Sequence, residues 1–192
     1  MKLDNSTIKN EDEIKKCLIF IKRKKIYFTY YYTFQNSGIY EIIYIFHNLL
    51  NSTNLILYKW KYLNDLDLSN FNTENVINMS GMFNKCLGLK KISLKNLKTE
   101  KVTDISWMFN DCFLLTNLDL SSFKNDKVEN MSMIFNRFRS LTSLNASTFN
   151  TENVNNMLFM FWECKSLKKK IYQIFILKKL KTCKECLVFA FH

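Results

Sequence analysis

Apolar residues recur every 26 positions between residues 63 and 167, and seven columns of this repeat stay in phase over four copies. So many aligned columns cannot arise by chance, and they identify a repeat protein. The columns are Leu66, Ile92, Leu118 and Leu144; Leu68, Leu94, Leu120 and Ala146; Phe71, Leu97, Phe123 and Phe149; Val76, Val102, Val128 and Val154; Met79, Ile105, Met131 and Met157; Phe83, Phe109, Phe135 and Phe161; and Leu89, Leu115, Leu141 and Leu167.

The apolar spacing changes within each repeat. Its first part alternates apolar and polar residues, as in Leu66, Asp67 and Leu68, which predicts a short strand with one buried face. A later part reads Met-Ser-x-Met-Phe-x-x-Cys, whose spacings of three and four predict one or two helical turns. The sequence therefore predicts an α/β repeat solenoid that is leucine-rich-repeat-like, with a short strand and a short helical arc in each 26-residue coil.

Three regions follow from the extent of the pattern. Residues 50–167 are predicted to be the repeat array, with one degenerate coil over residues 50–63 and about four regular coils. Residues 1–49 form a basic and aromatic flank, and residues 168–192 a basic cap or tail. Within the first flank we expect a helix over residues 11–25, a strand over 26–34, and a cap over 39–50 that covers the apolar end of the array.

Stacked coils are expected to bury their apolar stripes against each other, so that the phenylalanine column becomes a core ladder. In another column an Asn or Asp side chain is expected to bond the backbone of a turn. An acidic column should face water, since like charges on neighbouring coils repel, with Lys101 and Lys127 softening the repulsion. These two columns are Asn78, Asp104, Asn130 and Asn156, and Glu74, Glu100, Asp126 and Glu152.

The strings LDLSNFNTENVINMSGMFNKC and LDLSSFKNDKVENMSMIF, at residues 66–86 and 118–135, carry a family resemblance. They resemble the BspA-like leucine-rich repeats of bacterial and protist surface proteins, and more closely the mycoplasma-type lipoprotein subset of that family. The resemblance implies a surface or secreted protein that binds host, matrix or partner proteins and has no enzymatic activity. The chain departs from the family in having no lipobox cysteine and no apolar signal-peptide core within its first 15 positions.

The distribution of charge argues against nucleic acid as a partner, and the composition indicates which residue types make the turns. The formal net charge is +11, but residues 63–167 carry eleven basic and eleven acidic residues, so the excess lies in the two flanks. A nucleic-acid binder concentrates basic residues on its binding face, and nucleic acid is therefore not an expected partner. Proline is absent and the only glycines are Gly38, Gly81 and Gly88, so Asn, Asp and Ser must make most turns.

The cysteines and histidines do not occur in a pattern that indicates an active site or a metal site. We therefore predict that the protein is not an enzyme and has no catalytic, cofactor-binding or metal-binding residue. Cys86, Cys112 and Cys164 share a column in which Phe138 takes the fourth place, which predicts buried, reduced thiols. Cys183 and Cys186 form a single C-x-x-C pair, whereas structural zinc needs four ligands. The two histidines, His47 and His192, lie in different flanks.

Partner binding is predicted on the face of the short strands. The residues between the inward leucines point outward by the period of two, and they offer a partner protein or glycan a row of hydrogen-bonding groups. Ordinary solvated sheet surface is the alternative interpretation, and the acidic column is the rival site. The predicted partner-binding residues are Asp65, Asp67, Lys91, Ser93, Asn117, Asp119, Ser143 and Asn145.

A membrane-associated structural protein is the alternative function. Residues 168–182, KKKIYQIFILKKLKT, place an apolar centre between lysines, a pattern that contacts an anionic lipid surface but is too short to span a bilayer. The chain has no run of 18 apolar residues, so no transmembrane segment is predicted. The resemblance implies a cell-surface location, while the chain shows no export segment that predicts one.

Overall fold

The computed structural model describes residues 17–21, 23–26, 36, 38–46 and 50–167. Within these ranges β1, β2 and β3 form an antiparallel sheet in the order β2-β1-β3, and two parallel pairs follow, β4–β5 and β6–β7. The strands are β1 Leu18–Ile21, β2 Lys24–Ile26, β3 Ile42–Ile45, β4 Asp65–Leu66, β5 Lys91–Ile92, β6 Asn117–Asp119 and β7 Ser143–Asn145.

The predicted α/β leucine-rich-repeat-like solenoid is wrong. The described ranges contain no helix, and their strands form small separate sheets instead of one continuous sheet. The strand part of the prediction is confirmed, since β4 to β7 lie on the alternating segments and pair at an offset of 26 residues. The error concerns the Met-Ser-x-Met-Phe-x-x-Cys segments, which form turns.

Backbone dihedrals explain why these segments are not helical. Each contains two residues, four positions apart, with positive φ, such as Gly81 at 60° and Lys85 at 61°, or Trp107 and Asp111 at 59°. A right-handed helix requires negative φ at every residue. The remaining pairs are Leu55 and Lys59, Met133 and Arg137, and Phe159 and Glu163.

The backbone amides of these segments donate alternately to the following repeat and to their own repeat. The amides of Gly81 and Phe83 donate to Ser106 O at 2.8 Å and Met108 O at 2.9 Å, in the following repeat. Between them, the amide of Met82 donates to Met79 O at 3.2 Å, three residues back in its own repeat. A helix would direct all of these amides to residue i−4. Apolar spacings of three and four therefore arise here from turns that bond neighbouring repeats together.

The phenylalanine ladder is confirmed. The ring centroids of Phe83 and Phe109 are 5.3 Å apart, those of Phe109 and Phe135 are 6.4 Å apart, and those of Phe135 and Phe161 are 5.3 Å apart. The four side chains are buried in one core that extends from Leu50 to Leu167. Neighbouring repeats thus bury each other's apolar columns, which a single repeat could not do alone.

The N-terminal sheet covers the first repeat. Tyr44 packs on Trp60 with ring centroids 5.3 Å apart, and Phe46 on Phe71 at 5.6 Å, while the cap over residues 39–50 stays a prediction. The helix predicted over residues 11–25 is wrong where the structure describes it, because β1 and the start of β2 occupy that stretch. Its alternating burial, with Ile19 and Ile21 inward, is the pattern of a strand. The predicted C-terminal cap lies outside the described residues.

No helix long and apolar enough to cross a membrane occurs within the ranges that the structure describes.

Truncating Phe109 to alanine removes the central ring of the ladder. We expect the free energy of unfolding to fall by about 3–5 kcal/mol, because the side chain is fully buried between rings on both sides. Urea denaturation measures the change. Leu114→Ala, at a position that is 47% exposed in the same repeat, is the control and should cost far less. Equal losses in the two variants would contradict the ladder.

Candidate functional site

The structure places all eight predicted partner-binding residues on exposed positions of the strand pairs or directly beside them. Asp65 lies opposite Lys91 in one pair, and Asn117 opposite Ser143 in the other. Leu118 and Leu144, between the outward residues, are buried. The predicted inward and outward alternation is therefore confirmed.

The strand face is divided, however, into two patches. β4 pairs with β5 and β6 with β7, but β5 and β6 are not paired in the described sheets. The first patch carries Asp65 and Lys91, and the second carries Asn117 and Ser143. A partner would therefore meet two short strand pairs and not the continuous grid that the sequence predicts.

Three of the eight side chains are engaged in turns. Asp67 Oδ1 accepts a hydrogen bond from the amide of Ser69 at 2.8 Å, and Asp119 Oδ1 accepts one from the amide of Ser121 at 2.9 Å. Asn145 Nδ2 donates to the same Asp119 oxygen at 3.0 Å, and its own Oδ1 accepts from the hydroxyl of Ser147. These three residues bond the turns at the ends of β4, β6 and β7, so their role in the fold is structural.

Four of the remaining side chains are available to a partner. Asp65, Lys91, Ser93 and Ser143 make no side-chain hydrogen bond or ion pair with another described residue, and all four are exposed. Asn117 donates only to the neighbouring Thr116 hydroxyl, at 3.2 Å. These five residues are the part of the predicted site that has no evident role in the fold.

The turn-bonding column is confirmed. The amides of Ser80, Ser106 and Ser132 donate to the side-chain oxygens of Asn78, Asp104 and Asn130 at 2.8, 2.8 and 3.1 Å. In the last repeat the amide of Leu158 donates to Asn156 in the same way, at 3.1 Å. Asn and Asp at this position therefore stabilise the entry into the turn segment.

The acidic column faces water, as predicted, and one of its members, Glu100, pairs with a lysine other than the two expected. Glu100 pairs with Lys124 at 3.1 Å, and a hydrogen bond from its own backbone amide together with this lysine lowers the pKa of Glu100. Lys101, which was expected to soften the column, donates instead to Asn75 Oδ1 at 2.8 Å. Beside Asp126 the surface forms a shallow polar depression of about 520 Å³. This rival site is polar and open.

The cysteine column is core, as predicted. Cys86 and Cys112 are buried free thiols that donate to Leu57 O at 3.1 Å and Phe83 O at 3.3 Å. Burial raises the pKa of Cys86 to about 12 and that of Cys112 well above its ordinary value. Phe138 fills the equivalent place and is fully buried. Such thiols stay protonated and are poor nucleophiles and metal ligands.

No group of three or more His, Cys, Asp and Glu residues that could hold a metal ion occurs in the described part of the chain. The residues named from sequence for that chemistry, Cys183, Cys186, His47 and His192, lie outside the described residues.

Two polar columns escaped the sequence analysis. Thr73 and Thr99 are buried, and each hydroxyl both donates to a carbonyl and accepts from an amide in the next repeat. Asn84, Asn110 and Asn136 form a buried ladder, in which each later Nδ2 donates to the preceding Oδ1 at 2.8 and 2.7 Å. The first column reads Thr73, Thr99, Asn125 and Thr151, and the second reads Asn84, Asn110, Asn136 and Trp162, so both recur within the 26-residue period with one substitution each.

The repeat region matches a known protein family. The family described as "Mycoplasma protein of unknown function, DUF285" matches residues 88–188, which is more than half of the chain. The chain belongs to this family. The match agrees with the mycoplasma type that the repeat strings resemble. No curated protein matches the chain.

One solved structure with some likeness is a leucine-rich repeat protein of T. pallidum, TpLRR. It is 15% identical, with 68% of this chain and 76% of that chain covered and a TM-score of 0.34. A likeness at this level defines neither the fold nor the function of the DUF285 protein.

The turn aspartates generate a pH-dependent prediction. Hydrogen bonds from Ser69 and Ser121 lower the pKa of Asp67 and Asp119 below the ordinary 3.8. Their stabilisation is therefore complete above that value and is lost as the pH falls through the lower folded pKa. Replacing both by alanine should lower Tm at pH 7, and this difference from wild type should shrink as the pH falls below 3.8.

Thermal unfolding followed by circular dichroism across this pH range measures the effect. Replacing both aspartates by asparagine is the control, because it keeps the acceptor oxygen and removes the titration. A loss of Tm in the alanine variant that does not change with pH would contradict the role assigned to the two carboxylates.

The buried thiols generate a second prediction. In the native protein at pH 8, Cys86 and Cys112 should resist iodoacetamide under conditions that alkylate them fully in guanidinium chloride, because burial keeps them protonated. Mass spectrometry of the separate peptides measures each residue. A disulfide between Cys86 and Cys112 in natively purified protein, or equal alkylation of the native and unfolded states, would contradict the core assignment.

Proposed function

We propose that this DUF285 protein is a non-enzymatic binding module with BspA-like repeats, and that a protein partner docks on its strand face. The observation that carries the proposal is the set of outward residues on the two parallel strand pairs, with side chains that the fold does not use. Asp65, Lys91, Asn117 and Ser143 are exposed, and the buried Leu118 and Leu144 fix the strands beneath them.

The chemistry of this face suits a protein partner. Asp65 and Lys91 lie directly opposite each other on β4 and β5. They therefore offer a negatively charged hydrogen-bond acceptor beside a positively charged hydrogen-bond donor. Polar surface of mixed charge gives specificity through complementary groups on the partner. Short side chains such as Ser93, Asn117 and Ser143 lose little rotamer freedom when they are ordered. A second protein surface is therefore favoured over a glycan at this face.

The described cysteines support a non-enzymatic role. Burial raises the pKa of Cys86 and Cys164 to about 12 and that of Cys17 to about 11, which leaves these thiols unsuited to nucleophilic chemistry. The cell-surface location is part of the same proposal and is supported by the repeat strings. Membrane contact through residues 168–182, outside the described residues, is the alternative class and serves as an outcome of the tests below.

The partner is first identified by photocrosslinking from a defined position on the strand face. A photoreactive residue, p-benzoylphenylalanine, is placed at Ser93 on the strand face and, in a second protein, at the exposed Lys165, which is outside the strand pairs. A protein crosslinked through position 93 and not through position 165 is then purified, and its affinity is measured by calorimetry. Deleting residues 168–192 should leave this affinity unchanged. Binding that is salt-sensitive, requires anionic vesicles and disappears on that deletion would support the membrane alternative instead.

The triple change Asp65→Ala, Lys91→Ala and Asn117→Ala should weaken partner binding about tenfold or more without lowering Tm. It leaves the net charge unchanged and spares the turn residues Asp67 and Asp119. The matched control is Glu100→Ala with Lys124→Ala, which also conserves net charge and removes the surface ion pair of the acidic column. If the triple change is silent and replacement of Glu100 and Asp126 abolishes binding, the partner occupies the rival site.

A further inference from the structure

A groove interrupts the surface where one column of bulky residues contains a glycine. The first positive-φ position of the successive turn segments is occupied by Leu55, Gly81, Trp107, Met133 and Phe159. At Gly81, where φ is 60°, a Cβ would lie 2.4 Å from Leu55 Cδ2, so Leu55 leans over the glycine. A cavity of about 270 Å³ lies beside this glycine between the first repeats, bordered by Leu55, Tyr58 and Trp107.

The floor of this groove holds the open end of the asparagine ladder. Asn136 Nδ2 donates to Asn110 Oδ1, and Asn110 Nδ2 donates to Asn84 Oδ1. The preceding repeat has Tyr58 at this position, so the Nδ2 of Asn84 has no acceptor among the described residues, although Asn84 is only 8% exposed and lines the groove. This Nδ2 is not among the buried unpartnered atoms of the described residues, so it is open to the groove, where a ligand oxygen can accept its hydrogen bond. Hydrogen bonds in series also polarise one another, which strengthens the terminal donor.

A second polar group lies beside it. The hydroxyls of Ser80 and Ser132 donate to Asn78 and Asn130 at 2.7 and 2.8 Å, whereas the equivalent hydroxyl of Ser106 makes no such bond to Asp104. Ser106 is 5% exposed and lines the same groove. Asn84 and Ser106 thus supply two uncharged hydrogen-bonding groups at one place.

The wall of the groove is aromatic. Trp107 is 40% exposed and its indole makes no ring contact or cation contact with another described residue. Lys59 Nζ lies 4.8 Å from the centroid of the Tyr58 ring, so that ring already has a partner. Trp107 is therefore the flat apolar surface that remains free.

These groups select the chemical class of the ligand. No charged side chain lines the groove, so an anionic or cationic group would find no counter-charge there. A purely apolar ligand would bury the amide of Asn84 without a hydrogen bond. A pyranose ring meets both conditions, because one face presents C–H groups to an aromatic ring and its edge carries hydroxyls.

We propose that this groove binds one neutral hexose unit of a glycan, stacked on Trp107, with its hydroxyls bonded to Asn84 Nδ2 and Ser106 Oγ. This site is separate from the strand face and does not depend on the protein partner proposed above. Carbohydrate recognition then belongs to the turn segments of the first repeats, in addition to protein binding on the strand face.

The test uses the full chain on a printed array of neutral and sialylated oligosaccharides, followed by calorimetry with a neutral oligosaccharide that binds. Trp107→Ala should weaken binding at least tenfold, because it removes the stacking surface. Ser106→Ala should weaken it about two- to tenfold, as expected for one neutral hydrogen bond. The matched control is Phe159→Ala, which removes an aromatic side chain with the same backbone conformation in the same column, outside the groove.

The expected result is a loss of binding in Trp107→Ala, affinity close to wild type in Phe159→Ala, and near-identity of both variants to wild type in circular dichroism. The strand-face triple variant should bind the oligosaccharide normally, which separates this proposal from the protein-partner proposal. Absence of any neutral ligand on the array, a restriction to sialylated glycans, or neutral-glycan binding that survives Trp107→Ala would each overturn the assignment.

Discussion

The structure depends on where the backbone amides of the turn segments send their hydrogen bonds. Between Met79 and Lys85 every second amide donates to the following repeat, and the amides between them close short turns within their own repeat. Positive φ at Gly81 and Lys85 makes this alternation possible. The backbone therefore binds the repeats together along the same segment that supplies the phenylalanine ladder, and bonding and packing reinforce each other in one place.

The constraint also explains which side chains the repeat tolerates. An amide that donates to the next repeat fixes the spacing of neighbouring repeats, so equivalent side chains stack on one another. Phenylalanine rings stack well in this arrangement, with interplanar angles of 21° and 12° along the ladder. Asparagine is suited to the same geometry, because its amide carries both a donor and an acceptor. The groove at Gly81 lies where this stacking of like on like is interrupted.

The sequence predicted the period, the core columns and the outward face, because burial repeats with the residue type. It did not predict the turn segments correctly, since spacings of three and four at Met79, Met82, Phe83 and Cys86 fit a helix and a chain of turns equally well. A helix and a chain of turns differ in the sign of φ at positions such as Trp107 and Asp111. The residue types at these positions do not indicate that φ is positive. The turn bonds of Asp67 and Asp119 were not predicted for a related reason. An aspartate at these positions fits both an exposed strand residue and the acceptor of a turn.

The asparagine ladder gives the molecule a chemical direction. Every amide in it points the same way, so one end offers the donor of Asn84 and the other the acceptor of Asn136, whose Oδ1 is buried without a described partner. A duplicated copy of residues 91–116 would bring one donor and one acceptor and join the ladder without altering either end. Gene duplication could thus lengthen such a protein in steps of one repeat while the groove at its beginning is inherited unchanged.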